Sequence, residues 1–399
     1  MFARIGRIFI VLCALSMSTP AAHAATPAPI QYTRATLATG SFNGSVLDGD
    51  RVALATGASS GTWTAPSVVA RASFTRLVAS WNADTPAAGR ITVQAQVTTT
   101  AGETSDWYTL GVWAADDRAA RRASVNGQSD SLGRVATDTL YTRGDPFVSY
   151  VLRVRLERAS ADDSSPGVRS LGAAVSDVAY SAAQPTSRPL SSEAVELSVP
   201  ALSQEIHAHQ YPQWGGGGEA WCSPTSTEMV VEFWGRGPTA DDLAWVDPSY
   251  SDPSVDFAAR STYDAAYRGT GNWPFNTAYA ARYGLDTFVT QLRSLAEAEQ
   301  FVRAGIPVVT SIASRPGELD GFLFSGGTNG HLVVVVGFDA AGNPIVNDPA
   351  SVSDATVRHV YDRAQFERVW LRGSGGTAYV IHPPDVPLPP PPLDAAPNW

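Results

Sequence analysis

From Gln31 to Val178 apolar side chains recur at every second position, the period of a strand with one face buried and not that of a helix. Ile91, Val93, Ala95 and Val97 alternate with Thr92, Gln94 and Gln96, and Tyr150, Leu152, Val154 and Leu156 alternate with Arg153 and Arg155. Phe74 to Trp81 and Trp107 to Trp113 read as two aromatic-rich strands, with Gly, Asp, Asn and Ser clusters as the turns between strands. No long helical stretch interrupts them. Residues 31–178 are therefore expected to form an all-β sandwich, of jelly-roll type. The region contains neither histidine nor cysteine, so thiol or imidazole chemistry lies elsewhere.

At 399 residues the chain exceeds one ordinary domain, and two are expected. Residues 179–196, with Ala183-Gln184-Pro185-Thr186-Ser187-Arg188-Pro189, are small, polar and proline-bearing, as a linker is. A second domain, 197–383, mixes helices and strands. Ser294-Leu295-Ala296-Glu297 reads as a capping box whose helix ends at Gly305, with Pro307 beyond. Pro307 to Ser311 and His331 to Phe338 read as buried strands, Asp339-Ala340-Ala341-Gly342 as a turn into a strand near Ile345, Arg363 to Trp370 as a helix, and Tyr379 to Ile381 as a last strand. Residues 384–399, with Pro387 and Pro389 to Pro392, read as an extended tail without a core.

The first 24 residues carry Arg4 and Arg7, an apolar run from Ile8 to Leu15, and Ala22-His23-Ala24, the layout of a secretory signal cut after Ala24. The run is too short to span a bilayer, and no second apolar stretch could do so. Export to the medium or cell wall is the expected location. Cutting there removes two arginines and no acid, leaving 26 basic against 38 acidic residues, a net charge of −12. All the basic residues are arginine. An acidic chain of this kind is a poor partner for nucleic acid or anionic membranes. Cys13 leaves with the signal, so Cys222 is the one remaining cysteine and no internal disulfide can form.

Cys222 follows the run Gly215 to Gly218 and opens a segment, through Glu228 to Trp234, that reads as a helix closed by Gly235 and Gly237. A thiol on the first turn of a helix sits at the positive end of the dipole, which favours the nucleophilic thiolate. A thiol hydrolase also needs an imidazole, a group that orients it, and oxyanion donors. His331 heads the run Leu332-Val333-Val334-Val335-Val336 after the flexible Gly326-Gly327-Thr328-Asn329-Gly330, and Asn347-Asp348-Pro349 ends the next strand. If these strands form an antiparallel hairpin around Gly342, Asp348 comes within reach of the His331 ring. The Cys222 N–H and a nearby glutamine amide are the natural oxyanion donors.

These residues resemble the double-glycine (bacteriocin-leader) peptidases, a bacterial branch of the papain-like cysteine peptidases, here in a secreted stand-alone form. The matching stretches are Val199-Pro200-Ala201-Leu202-Ser203-Gln204, Trp221-Cys222-Ser223-Pro224-Thr225-Ser226, Gly330-His331-Leu332-Val333-Val334-Val335-Val336-Gly337 and Val346-Asn347-Asp348-Pro349-Ala350. The resemblance implies an α+β papain-like second domain with Gln204 for the oxyanion, Cys222 as nucleophile, His331 as general base and acid, and Asp348 as its orienting carboxylate. No cofactor is implied. Two departures stand out: residues 206–219 separate Gln204 from Cys222, which leaves Gln213 as a second candidate, and Ser223 replaces the family's glycine after the cysteine. The first domain resembles carbohydrate-binding, galactose-binding-like jelly rolls by shape alone.

The same residues allow other readings. A free cysteine is often an inert buried side chain, a histidine before a valine run can be structural, and Asn-Asp-Pro is a turn former. His207-Ala208-His209 could hold a metal with Cys222 or Glu219, although no second thiol exists. Trp214, Trp221, Trp273 and Phe275 could line a groove or fill a core. The leading expectation is hydrolysis of peptide or amide bonds in a peptide, protein or cell-wall peptide. Its alternatives are a cell-wall amidase or transglutaminase-type acyl transfer, and an inactive module that binds glycan or protein.

Overall fold

The structure, a computed structural model, describes residues 29–86, 89–117, 120–177, 185–393 and 395–399. The expected signal with Cys13, and the start of the expected linker, lie outside these residues.

In the first half two antiparallel sheets face each other. One runs Gly133–Ala136, Thr139–Thr142, Arg76–Asp84, Gly167–Ser176, Arg51–Leu54, Ser45–Asp48, with Ile30–Arg34 also on Gly167–Ser176. The other runs Ser41–Asn43, Ser60–Thr64, Phe147–Arg158, Gly89–Thr99, Tyr108–Trp113, with Val68–Phe74 also on Phe147–Arg158. The alternation read from the sequence is the alternation observed: Ile91 lies opposite Leu156 and Val93 opposite Val154, all buried, while the residues between them face outward. Leu77, Trp81 and Leu171 of one sheet meet Val93, Val97 and Leu152 of the other in one core. The expected single strand Phe74 to Trp81 is instead two strands broken at Thr75, and they belong to different sheets. An apolar pattern that continues across a corner hides the corner.

The second half is built on a seven-stranded antiparallel sheet in the order Asp286–Gln291, Thr377–His382, Val308–Ser314, Thr328–Phe338, Pro344–Asn347, Arg358–Val360, with Val195–Glu196 also on Thr328–Phe338. Its valine run is apolar at successive positions because both faces are covered. Val333 and Val335 pack with Phe301 and Trp370 from the helices Leu295–Arg303 and Arg363–Ser374. Leu332, Val334 and Val336 pack with Met229 and Val230 of the helix Cys222–Phe233. That strand starts at Thr328, so Thr328-Asn329-Gly330, expected to be flexible, pair into the sheet beside Ser314. The helix at Leu295 is capped by Ser294, which accepts from Glu297 N at 3.4 Å. The return half of the expected box is redirected, because the Glu297 carboxylate accepts from Arg293 N at 2.7 Å.

The halves are joined by burial. Strand Arg76–Asp84 is buried from Leu77 to Ala83 because its outer face is covered by the helix Trp273–Ala281 and the strand Asp286–Gln291. Phe275 meets Trp113 at 5.5 Å and Trp81 edge-on at 6.1 Å, and Thr287 Oγ1 donates to Asn82 Oδ1 at 2.9 Å. The proline-rich end, expected to have no core, is docked. Pro397 O accepts from Tyr32 N at 3.0 Å, the buried Asn398 amide donates to Gln291 O and Glu297 Oε2 at 2.8 Å each, and Trp399 packs edge-on against Phe301 at 4.9 Å. Proline bars a regular ladder there, but it leaves the side chains beyond it free to pack. Among the described residues no helix is long and apolar enough to cross a membrane.

Candidate active site

Cys222 is the first residue of its helix, as the sequence suggested. Three anchors set where the sulfur stands. The buried Trp221 indole donates to Trp214 O at 2.6 Å, Ser223 Oγ bonds Tyr379 OH at 2.9 Å, and Ser226 Oγ donates to Leu332 O at 3.0 Å. The last bond ties the helix to the residue beside His331.

The hairpin inferred around Gly342 is present. Val334 pairs with Asn347 and Phe338 with Pro344, and Gly342 takes the left-handed turn at φ +82. Asp348 follows the short strand and meets the imidazole: His331 Nε2 donates to Asp348 Oδ1 at 2.7 Å. With Nε2 engaged, Nδ1 is the nitrogen left for the Cys222 thiol, which lines the same cleft. Phe324 packs edge-on against the ring at 4.9 Å. Burial opposes a charge on His331, yet the Asp348 carboxylate and then the Cys222 sulfur outweigh it and push the pKa up to about 10. Burial would raise Asp348, but the charge and hydrogen bond of His331 and the Ala350 N–H hold it below the usual carboxylate range.

The sequence did not single out Tyr361, whose hydroxyl donates to Asp348 Oδ2 at 3.2 Å from just past the strand Arg358–Val360. Its ring lies stacked between His359 at 5.7 Å and Phe366 at 5.9 Å. No motif marks it; the pairing of Pro344–Asn347 with Arg358–Val360 would have been the signal, and a strand of three residues is too short for its alternation to show.

Gln204 comes back to the thiol despite the intervening insertion. Its N–H donates to Pro349 O at 2.8 Å, beside Asp348, and its side chain is buried with 1% exposure. Nε2 donates to Glu219 O and to Glu205 Oε1 at 3.1 Å each. Gly218 makes the approach possible, since a Cβ there would stand 2.2 Å from Gln204 O. Gln213 is exposed and lines a separate hollow with Trp214 and Arg260. The two neighbouring histidines diverge: His207 is buried against Asp256 at 3.2 Å, while the side chain of His209 is 90% exposed beside Glu219. Of the four aromatics, Trp273 lines the cleft and Trp221 and Phe275 are core. Among the described residues no group of three His, Cys, Asp or Glu side chains could hold a metal.

Cys222, His331 and Gln204 line one open cleft of about 630 Å³. Its other wall includes Thr137, Asp138 and Tyr141, from the half that contains no cysteine or histidine.

Two family profiles match the chain: the Peptidase C39 N-terminal domain over residues 26–176 and the Peptidase_C39 like family over residues 196–377. No curated protein matches it. Among solved structures, a Bacillus anthracis protein described as a C39-like peptidase is 18% identical, covering 47% of this chain and 97% of its own, with a TM-score of 0.30. A glycosylation-associated complex from Streptococcus agalactiae is 12% identical, over 39% of this chain and 49% of its own, with a TM-score of 0.21. Both likenesses are too slight to bear on the site. With both halves matched by profiles of one peptidase group, the chain belongs to the C39-like peptidases.

Proposed function

We propose that this chain is an exported cysteine peptidase of papain-like mechanism, with a jelly-roll first domain and an α+β catalytic second domain. It hydrolyses peptide or amide bonds through an acyl-thioester on Cys222. The observation that carries the reading is the His331 ring, bonded at Nε2 to Asp348 and lining one open cleft with the Cys222 thiol.

In this reading His331 takes the thiol proton, and the sulfur attacks the scissile carbonyl carbon. The carbonyl oxygen becomes an oxyanion, held by the Cys222 N–H, one of the donors that a helix start leaves without an intrahelical partner, and by Gln204 Nε2. Both Gln204 N–H groups are engaged in the free protein, and the oxyanion takes the place of the half-buried Glu205 carboxylate. As the C–N bond breaks, His331 returns the proton to the leaving amine. It then deprotonates a water that attacks the thioester, releasing the acid and restoring the thiol. Asp348 keeps one ring nitrogen protonated and stabilises the imidazolium.

The test is turnover of a peptide library, followed by mass spectrometry, with wild type, Cys222→Ala and His331→Ala. The reading expects each substitution to lower kcat/KM by at least about a thousandfold. Equal cleavage by wild type and Cys222→Ala overturns it.

A further inference from the structure

Asp138 belongs to the first half, yet its carboxylate faces the catalytic cleft together with Cys222 and His331. It stands in the tight connection between the strands Gly133–Ala136 and Thr139–Thr142, where Thr137 holds a left-handed conformation at φ +55. That conformation is costly for a β-branched residue. The turn turns the carboxylate inward, where it is 7% exposed. Its hydrogen-bond donors are neutral: Trp273 N to Oδ2 at 2.9 Å and Thr139 Oγ1 to Oδ1 at 2.9 Å. Among the described residues no cation pairs with it, and Arg268, which also lines the cleft, is exposed. Burial, with added repulsion from Asp264, outweighs those hydrogen bonds and pushes its pKa up to about 6. A buried carboxylate without a counter-ion is unfavourable in the free protein and becomes favourable when a cation fills the site. Tyr267 and Trp273 line the same cleft, and aromatic rings attract cations.

We infer that Asp138 is a specificity residue for the reaction proposed above, binding a nitrogen cation of the substrate, either an arginine or lysine side chain or a free amino group, near the bond to be cut. The first half is then part of the substrate site and not only an attached module. The simpler alternative is that Asp138 only caps the helix Trp273–Ala281 through its bond to Trp273 N.

Binding to the Cys222→Ala protein separates the two and does not depend on turnover. Calorimetry would compare two matched pairs of peptides: one with an internal arginine against one with that arginine replaced by citrulline, and one with a free against one with an acetylated amino terminus. The charged forms are expected to bind about tenfold to a hundredfold more tightly, and adding Asp138→Asn should erase the difference. Asparagine keeps an acceptor for Trp273 N, so a capping role alone would leave the charge preference in place. The melting temperature of the Asn variant checks that the fold is retained, and Asp138→Glu should restore part of the preference. Loss of preference for arginine identifies a side-chain subsite; loss only for the free terminus identifies an amino-terminal one. Equal binding of charged and neutral peptides, or a preference that survives Asp138→Asn, overturns the inference. Cleavage that persists through either result leaves the peptidase reading standing.

Discussion

At the residue scale, the site's chemistry is concentrated in the link from Asp348 to His331. The imidazolium survives to about pH 10 chiefly because Asp348 and the sulfur outweigh burial. A reaction that needs the charged ring therefore has an alkaline limb well above the free-imidazole value. Asp348→Asn removes the nearby charge, so that limb should move to lower pH by at least about one unit, with kcat falling about a hundredfold, as read from kcat–pH profiles. Tyr361→Phe keeps the stack on His359 and Phe366 and deletes one donor to Asp348 Oδ2. It should cost about 1–2 kcal/mol in chemical denaturation and lower kcat severalfold with KM unchanged. Cys222, His331 and Asp348 were legible because each stands at the end of an element with a clear pattern: a helix start, the head of a valine run, and a turn after a strand. Tyr361 and Asp138 were not, because nothing near them in sequence distinguishes them and only the assembled sheet and cleft give them partners.

At the element scale, the helix that presents the thiol is buried on all sides from Ser223 to Val231. It carries an ionisable group into the core. Glu228 Oε2 accepts from Tyr279 OH at 2.7 Å, Oε1 has no partner among the described residues, and burial pushes the pKa up to about 8. The folded state thus holds a proton that the unfolded chain releases near pH 4.5. Stability from this group is full below that value and falls as pH rises towards about 8. Glu228→Gln removes the titration. It should stabilise the protein relative to wild type increasingly between about pH 5 and 8, by an amount on the order of a few kcal/mol, in denaturant melts across that range. The hairpin that joins His331 to Asp348 was readable because Gly342 and its flanking apolar runs mark a turn between two strands. The helices Pro253–Thr262 and Trp273–Ala281 were not, since polar residues such as Asp256, Asn276 and Thr277 are buried beside the apolar ones and leave no helical stripe.

At the scale of the whole molecule, the two halves share a core in which Phe275, Ala278 and Tyr279 pack with Trp81 and Trp113. Arg122 N-side contacts add to this, its guanidinium donating to Arg260 O at 2.6 Å and to Ala114 O at 2.7 Å. Calorimetry of the full chain should show one cooperative transition, and two separated transitions would mean that the shared core contributes little. Two-domain organisation was legible from the change of period and the placement of histidine and cysteine. The depth of the joint was not, because a strand buried on both faces and one buried on a single face differ only in what the rest of the fold lays over them. The most direct test of the central claim is intact-mass spectrometry of the enzyme quenched during turnover of a cleavable peptide. The account predicts an added mass equal to the acyl half of the peptide, mapped to Cys222 and absent from Cys222→Ala. Turnover without that adduct, undiminished in the alanine variant, would contradict it.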